Sequence, residues 1–141
     1  MKIVFLDAAT MGDVSFEPFE QLGEFVSYAT STPMEARERV KDADVVMINK
    51  VIVDKELIDA APSLKLICVA ATGVNNIDVD YAASKGIPVR NVAGYSTDSV
   101  AQSTFMHILS LAGGAPYFDN SVKTGSYSRS GMFTDPNWNW W

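Results

Sequence analysis

Apolar runs of strand length alternate with helix-forming segments five times over, and this alternation constrains the chain more than any other feature. The runs span residues 2–7 (K-I-V-F-L-D), 24–28, 43–49 (A-D-V-V-M-I-N), 66–70 (L-I-C-V-A) and 87–91. Continuous apolar runs of this length suit strands buried on both faces, as in a parallel sheet. Helix candidates lie between them. Residues 16–22 carry apolar positions at helical spacing and close on Gly23. Residues 34–41 are opened by Thr32 as N-cap and by Pro33 at the first helical position, and they are largely charged. Asp54 caps a short helix ended by Pro62. Residues 78–85 end at Gly86, a helix-terminating signature. Ser96 or Thr97 then caps a long apolar helix that runs to about Gly113. Such an order demands an α/β fold with a parallel sheet, right-handed crossovers and helices on both faces.

Composition narrows the partners. With 48% apolar residues, the 141-residue chain holds enough for one core. A net charge of −6 with scattered basic residues argues against nucleic acid or an anionic membrane. The first residues lack the pattern of a secretory leader, and no apolar stretch reaches membrane-span length. A cytoplasmic protein is the expectation. Cys68 is the single cysteine, so no internal disulfide forms. Its apolar flanks make it a small buried hydrophobe rather than a nucleophile.

In a sheet of this kind, ligands sit beyond the carboxyl ends of the strands. Thr72, Gly73 and Val74 directly follow the fourth run. A glycine there lets the backbone turn with its N–H groups outward, a nest that attracts carboxylate or phosphate, and the helix starting near Asp78 adds its positive end. The alternative is an ordinary tight turn. Lys50, next to Asn49 after the third run, is either a cation facing the same crevice or a solvated loop lysine. Asp7 ends the first run, but a phospho-acceptor site wants a second acid where Asn49 stands. Residues 8–12 make a poor flavin-phosphate loop. His107 lies mid-helix among apolar residues with no orienting partner in view, and so reads as a packing or interface histidine. Thr104, one turn earlier, is placed to face the crevice. One histidine and one cysteine leave no metal set, and no G-x-G-x-x-G occurs in the chain.

The tail differs in character. Gly113-Gly114-Ala115-Pro116 breaks the long helix, and residues 117–123 suit a further one. Beyond Gly125 the chain is rich in Ser, Gly, Asn and aromatics, and Trp138, Trp140 and Trp141 close it. Exposed indoles are costly at roughly 25 cal/mol per Å² of apolar area. An extended arm that packs on a partner is the preferred reading.

The motifs A-T-G-V-N-N-I-D (71–78), K-G-I-P-V-R-N-V (85–92) and G-Y-S-T-D-S-V-A-Q-S-T-F (94–105) resemble the first domain of the D-isomer-specific 2-hydroxyacid dehydrogenases. The glycerate dehydrogenase (hydroxypyruvate reductase) branch is the most similar, and N-K at 49–50 and S-V-K-T-G-S-Y-S at 121–128 also fit. The resemblance implies a flavodoxin-like, doubly wound five-stranded sheet of order 2-1-3-4-5, followed by a long helix and a C-terminal arm. It assigns residues 1–95 to an incomplete substrate-binding domain, 96–115 to an interdomain helix and 116–141 to a dimerisation arm. It implies that amides of Thr72, Gly73 and Val74 hold the carboxylate of a small 2-hydroxy or 2-oxo acid, and that Asn49 and Lys50 line the same pocket. Thr104 lies near an NAD(H) bound by a separate Rossmann domain. The family's catalytic Arg, Glu and His match no residues here, and His107 is not its acid/base histidine. The expectation is therefore a fragment of such an enzyme. It would be inactive alone, hold no cofactor of its own, and self-associate as a dimer through helix 97–112 and the arm. The alternative is a non-catalytic flavodoxin-like binding or structural module.

Overall fold

The apolar runs do form parallel strands. In a computed structural model, which describes residues 1–138, β1 (Lys2–Phe5), β2 (Glu24–Ser27), β3 (Val45–Ile48), β4 (Leu66–Val69) and β5 (Val89–Arg90) make one sheet. Its order is β2-β1-β3-β4-β5, with every neighbouring pair parallel. This is the doubly wound order that the resemblance implied. The strands are shorter than the runs, whose end residues, Asp7 and Asn49 among them, belong to the connecting loops. β5 shrinks to two residues behind Pro88, which has no N–H to give but whose carbonyl accepts from Ile67.

The chain divides into two units, Met1–Gly94 and Tyr95–Trp141. In the first, α2 (Pro33–Arg39), α3 (Lys55–Asp59) and α4 (Val79–Ser84) cover one face of the sheet. Val4, Leu6, Val46, Ile48, Ile67 and Val69 meet Ala36, Val40, Leu57, Ile58 and Ala82 there. Each large aliphatic side chain in this layer contributes about 1.5–3 kcal/mol by burial. The caps read from sequence are present. The Thr32 hydroxyl accepts the Glu35 N–H, and the Glu35 carboxylate accepts the Thr32 N–H at 2.8 Å, a full capping box. The Thr32 N–H, joined by the Thr32 hydroxyl donating at 2.7 Å, holds the Glu35 carboxyl below its usual range. Asp54 accepts the Leu57 N–H at 2.9 Å. α4 ends as a left-handed glycine motif: Gly86 (φ 73°) and Ile87 donate to Ala83 and Ala82 carbonyls, both at 2.9 Å.

The opposite face is covered unequally. Only the four-residue α1 (Glu17–Glu20) lies over it, with Phe16, Phe19 and Phe25 packed toward Phe5. An apolar groove of about 490 Å³ remains, lined by Ile3, Met47, Leu66, Cys68, Arg90 and Val92 among others. Helices thus lie on both faces, as expected, but they cover the two unequally. Cys68 is half-buried on this face, and burial pushes its thiol up against the opposing pull of Arg90. That environment suits a packing cysteine.

The second unit consists of α5 (Thr97–Ala112), α6 (Ala115–Lys123) and α7 (Ser126–Ser130). Residues read as an extended arm thus contain a short helix, bracketed by left-handed Gly125 and Gly131. The tail also folds back on itself. The Trp138 ring lies 5.2 Å from that of Tyr117 and 5.4 Å from that of Phe118. The Tyr117 hydroxyl donates to Asp135 at 2.6 Å. One of the three indoles is therefore covered by its own chain; Trp140 and Trp141 lie outside the described residues. α5 leaves Val100, Phe105, Met106, Ile108, Leu109 and Leu111 exposed, and Phe133 is 97% exposed.

Candidate functional site at the carboxyl ends of β3 and β4

Strand order reverses between β1 and β3, and the loops that follow β1, β3 and β4 come together there. Such reversals are where open α/β sheets gather ligands. The loop after β3 holds Asn49 and Lys50; the loop after β4 holds Thr72, Gly73 and Val74. The two are tied directly. Asn76 donates its side-chain amide to the carbonyls of Asn49 (3.3 Å) and Val51 (2.8 Å). Its own carbonyl accepts the Val53 N–H at 2.8 Å, and Val53 pairs with Ile77 in a parallel bridge.

The other end of the β4 loop is anchored on residues after β5. The Val92 N–H donates to Ala71, the Thr72 hydroxyl donates to Val92, and the Asn91 side chain donates to the Thr72 carbonyl at 2.6 Å. Between these anchors stand Gly73 and Val74. Their backbone N–H groups have no acceptor among the described residues. Two adjacent, unspent amides at the apex of a doubly anchored loop can donate to a small anion without rearrangement. Lys50 is exposed, and among the described residues its ammonium has no carboxylate partner.

Two details of the sequence reading change. Gly73 is not among the glycines with positive φ, so a left-handed turn is not why glycine stands here. A Cβ at Gly73 would come 2.9 Å from Asn75 Oδ1, the end of an exposed side chain that can swing away. Nor does the α4 terminus point an open end at the loop: α4 is six residues long, and Asp78 takes the Tyr81 N–H at 3.0 Å. The concavity of about 600 Å³ at this edge is lined by Ile52, Asp54, Lys55, Asn75 and Asp78, beside Gly73 rather than on it.

Thr104 belongs to the second unit. Its hydroxyl donates to the Val100 carbonyl one turn back at 2.8 Å, so it is engaged within α5. The His107 Nδ1–H donates to the Ser103 carbonyl at 2.6 Å, which fixes that nitrogen as the protonated one. Two residues that sequence reasoning did not place in the site are Asp7 and Asn76. Asp7 is 5% exposed and accepts three loop N–H bonds. A single acid ending an apolar strand was the available signal; nothing in sequence marked Asn76. Among the described residues there is no cluster of metal-ligating side chains, and no helix is long and apolar enough to cross a membrane.

The sheet order and the loops gathered at its carboxyl edge define a flavodoxin-like α/β fold. The sequence profile of the D-isomer specific 2-hydroxyacid dehydrogenase catalytic domain matches residues 3–134, and the chain belongs to that family. The hydroxypyruvate reductase of Blautia hydrogenotrophica is 33% identical over all of this chain and 44% of its own length. The glycerate dehydrogenase of Methylorubrum extorquens is 35% identical over 94% of this chain and 42% of its own length. The chain thus spans about two-fifths of the relatives that it matches. Among solved structures, the D-lactate dehydrogenase of Aquifex aeolicus, complexed with NAD and lactic acid, superposes with a TM-score of 0.69. It is 29% identical, over 86% of this chain and 37% of that one. An acyclic imino acid reductase in complex with NADPH and D-Arg shares the fold at a TM-score of 0.79 over 97% of this chain and 43% of that one, with 23% identity.

Proposed function

We propose that this chain is the substrate-binding part of an NAD-dependent D-2-hydroxyacid dehydrogenase of the glycerate dehydrogenase (hydroxypyruvate reductase) type. The carboxylate of a small 2-hydroxy or 2-oxo acid sits on the Gly73 and Val74 amides, Thr72 and Asn49 line it, and Lys50 supplies the opposing charge. Orientation of the acid by these groups is the contribution that such a site makes to hydride transfer. Residues 1–95 form the substrate domain, 96–115 the interdomain helix and 116–141 a dimerisation arm, in a cytoplasmic enzyme. NAD(H) itself is not held by these residues. The chain carries no G-x-G-x-x-G, and the Thr104 hydroxyl, which donates to Val100, keeps only its acceptor lone pairs for a cofactor held elsewhere. On this reading hydride chemistry needs a dinucleotide site that these motifs do not supply, and the chain alone is expected to turn nothing over.

The observation that carries this reading is the pair of unspent amides at Gly73 and Val74 between two anchored loop ends. Titration with oxalate and with glycerate, followed by backbone amide shifts, tests it. Saturable shifts at Gly73, Val74 and Lys50 are expected. Saturation elsewhere, or no saturation at millimolar acid, removes the reading. The exposed apolar residues of α5 support the further proposal that the chain pairs with a second copy through 97–112 and the arm.

A further inference from the structure

We propose that Asp7 is a positioning residue for the substrate loop, fixing the backbone from which Lys50 reaches the acid. The proposal rests on the function proposed above. Asp7 follows β1 at the strand reversal, is buried, and pairs with no cation among the described residues. A buried carboxylate is costly unless its oxygens are satisfied. Here they are satisfied by three consecutive amides: Oδ1 accepts the Asn49 N–H at 2.8 Å, and Oδ2 accepts those of Lys50 at 2.6 Å and Val51 at 3.0 Å. Bonds from N–H to an ionised oxygen are short and strong.

Two consequences follow for the site. The amides of Asn49, Lys50 and Val51 are spent on Asp7, so the β3 loop offers an acid a side-chain charge and no backbone nest; amide donation is left to the β4 loop that carries Gly73 and Val74. The loop is also gripped from both sides. Asp7 holds its N–H groups while Asn76 holds the carbonyls of Asn49 and Val51. Asn76 stands three residues after Gly73, so this double grip ties the backbone that carries Lys50 to the loop that carries Gly73 and Val74. With both oxygens engaged by amides, Asp7 is also a poor acceptor for a phosphoryl group.

Asp7→Asn tests this. One oxygen becomes an N–H₂ that faces donors, so at least one of the three loop amides loses its acceptor. Oxalate affinity, read by amide titration, is expected to fall about tenfold or more, as for other residues that orient a ligand group. The Lys50 amide proton is expected to move upfield, and amides 49–51 to lose exchange protection, while Val46 and Ile67 keep theirs. Unchanged oxalate affinity with deprotected loop amides overturns the proposal, as does full loop protection in the variant. If wild-type protein binds no oxalate, the proposed function fails instead, and the exchange data alone then report on the clasp. Should Asp7→Asn not fold, Asp7→Glu carries the same readings, because its longer side chain keeps the charge while moving the oxygens off the three loop amides.

Discussion

Trp138 packs its indole against Gly114, in the space that a side chain at that position needs. Gly114 is also left-handed, at φ 61°. Gly86 is left-handed too, at φ 73°, but a Cβ there meets nothing within 4 Å. The two glycines therefore separate backbone strain from overlap. Gly86→Ala is expected to cost the first unit about 1–2 kcal/mol, from the left-handed penalty alone. Gly114→Ala adds an overlap penalty of about 1–3 kcal/mol. Because Trp138 has somewhere to go, the expected result is release of its ring rather than global unfolding. Denaturant midpoints read the first variant, and the aromatic shifts of Tyr117, Phe118 and Trp138 read the second. A Trp138 that stays on Tyr117 in Gly114→Ala contradicts the packing described.

The fold-back of the tail depends on pH through one hydrogen bond. The Tyr117 hydroxyl, donating to Asp135, holds that carboxyl below its ordinary 3.8, with help from the Asn137 N–H. The same bond, aided by burial and by the Asp135 charge, holds the Tyr117 phenol above its ordinary 10.0. For the lowered acid, the contribution is present above 3.8 and is lost as pH falls through the lower folded value. For the raised phenol it is present below 10.0 and is lost as pH rises through the higher folded value. Near-ultraviolet circular dichroism, which senses aromatic packing, is therefore expected to be flat through the neutral range and to change below about 4 and above about 10. Tyr117→Phe removes the bond and should abolish the acid limb and the tyrosine part of the alkaline limb. Identical profiles for the two proteins contradict the role of the bond.

The sheet was legible because its signals are local. Apolar runs, Thr32 with Pro33, Asp54, and Gly86 each act within one turn, and each does its expected work in the structure. The site was legible in part. Thr72, Gly73 and Val74 fall at a strand end that any parallel reading exposes, yet the side chains that anchor their loop, Asn91 and Asn76, act through contacts no local signal marks. Asp7 reaches Lys50 across 43 residues, and Asn76 reaches Val51 across 25; no spacing rule links such positions. For the tail, composition reports the cost of exposed indoles but not which surface meets it. Trp138 meets it with Tyr117 and Phe118, on the chain itself.

Apolar exposure on α5 is of another kind, since Phe105, Ile108 and Leu109 fall at helical spacing and are each more than half exposed. A contiguous apolar helix face marks an interaction surface. Leu109→Asp touches no core contact and is expected to leave the first unit within about 0.5 kcal/mol of its original stability. Multi-angle light scattering over a dilution series should give twice the chain mass for the original protein and the single-chain mass for Leu109→Asp. A wild-type protein that is monomeric throughout the series defeats the dimer proposal.

Binding and turnover should part company in this chain. Anion binding at Gly73 and Val74 needs the two loop anchors, and both lie within residues 1–94. Hydride transfer needs a dinucleotide held in line with the bound acid, and the sequence offers no glycine fingerprint for its pyrophosphate. The expected outcome is oxalate-dependent amide shifts in a protein that oxidises no NADH in the presence of hydroxypyruvate above a no-protein blank. Asn91→Ala provides the cross-check, since Asn91 donates to the Thr72 carbonyl at 2.6 Å and ties down one end of the loop. Its loss should weaken oxalate binding several-fold, on the order of the 1 kcal/mol that one such hydrogen bond contributes. Turnover by the purified chain would show that the 141 residues hold a cofactor after all, and it would move the search for that site to α5 and the tail.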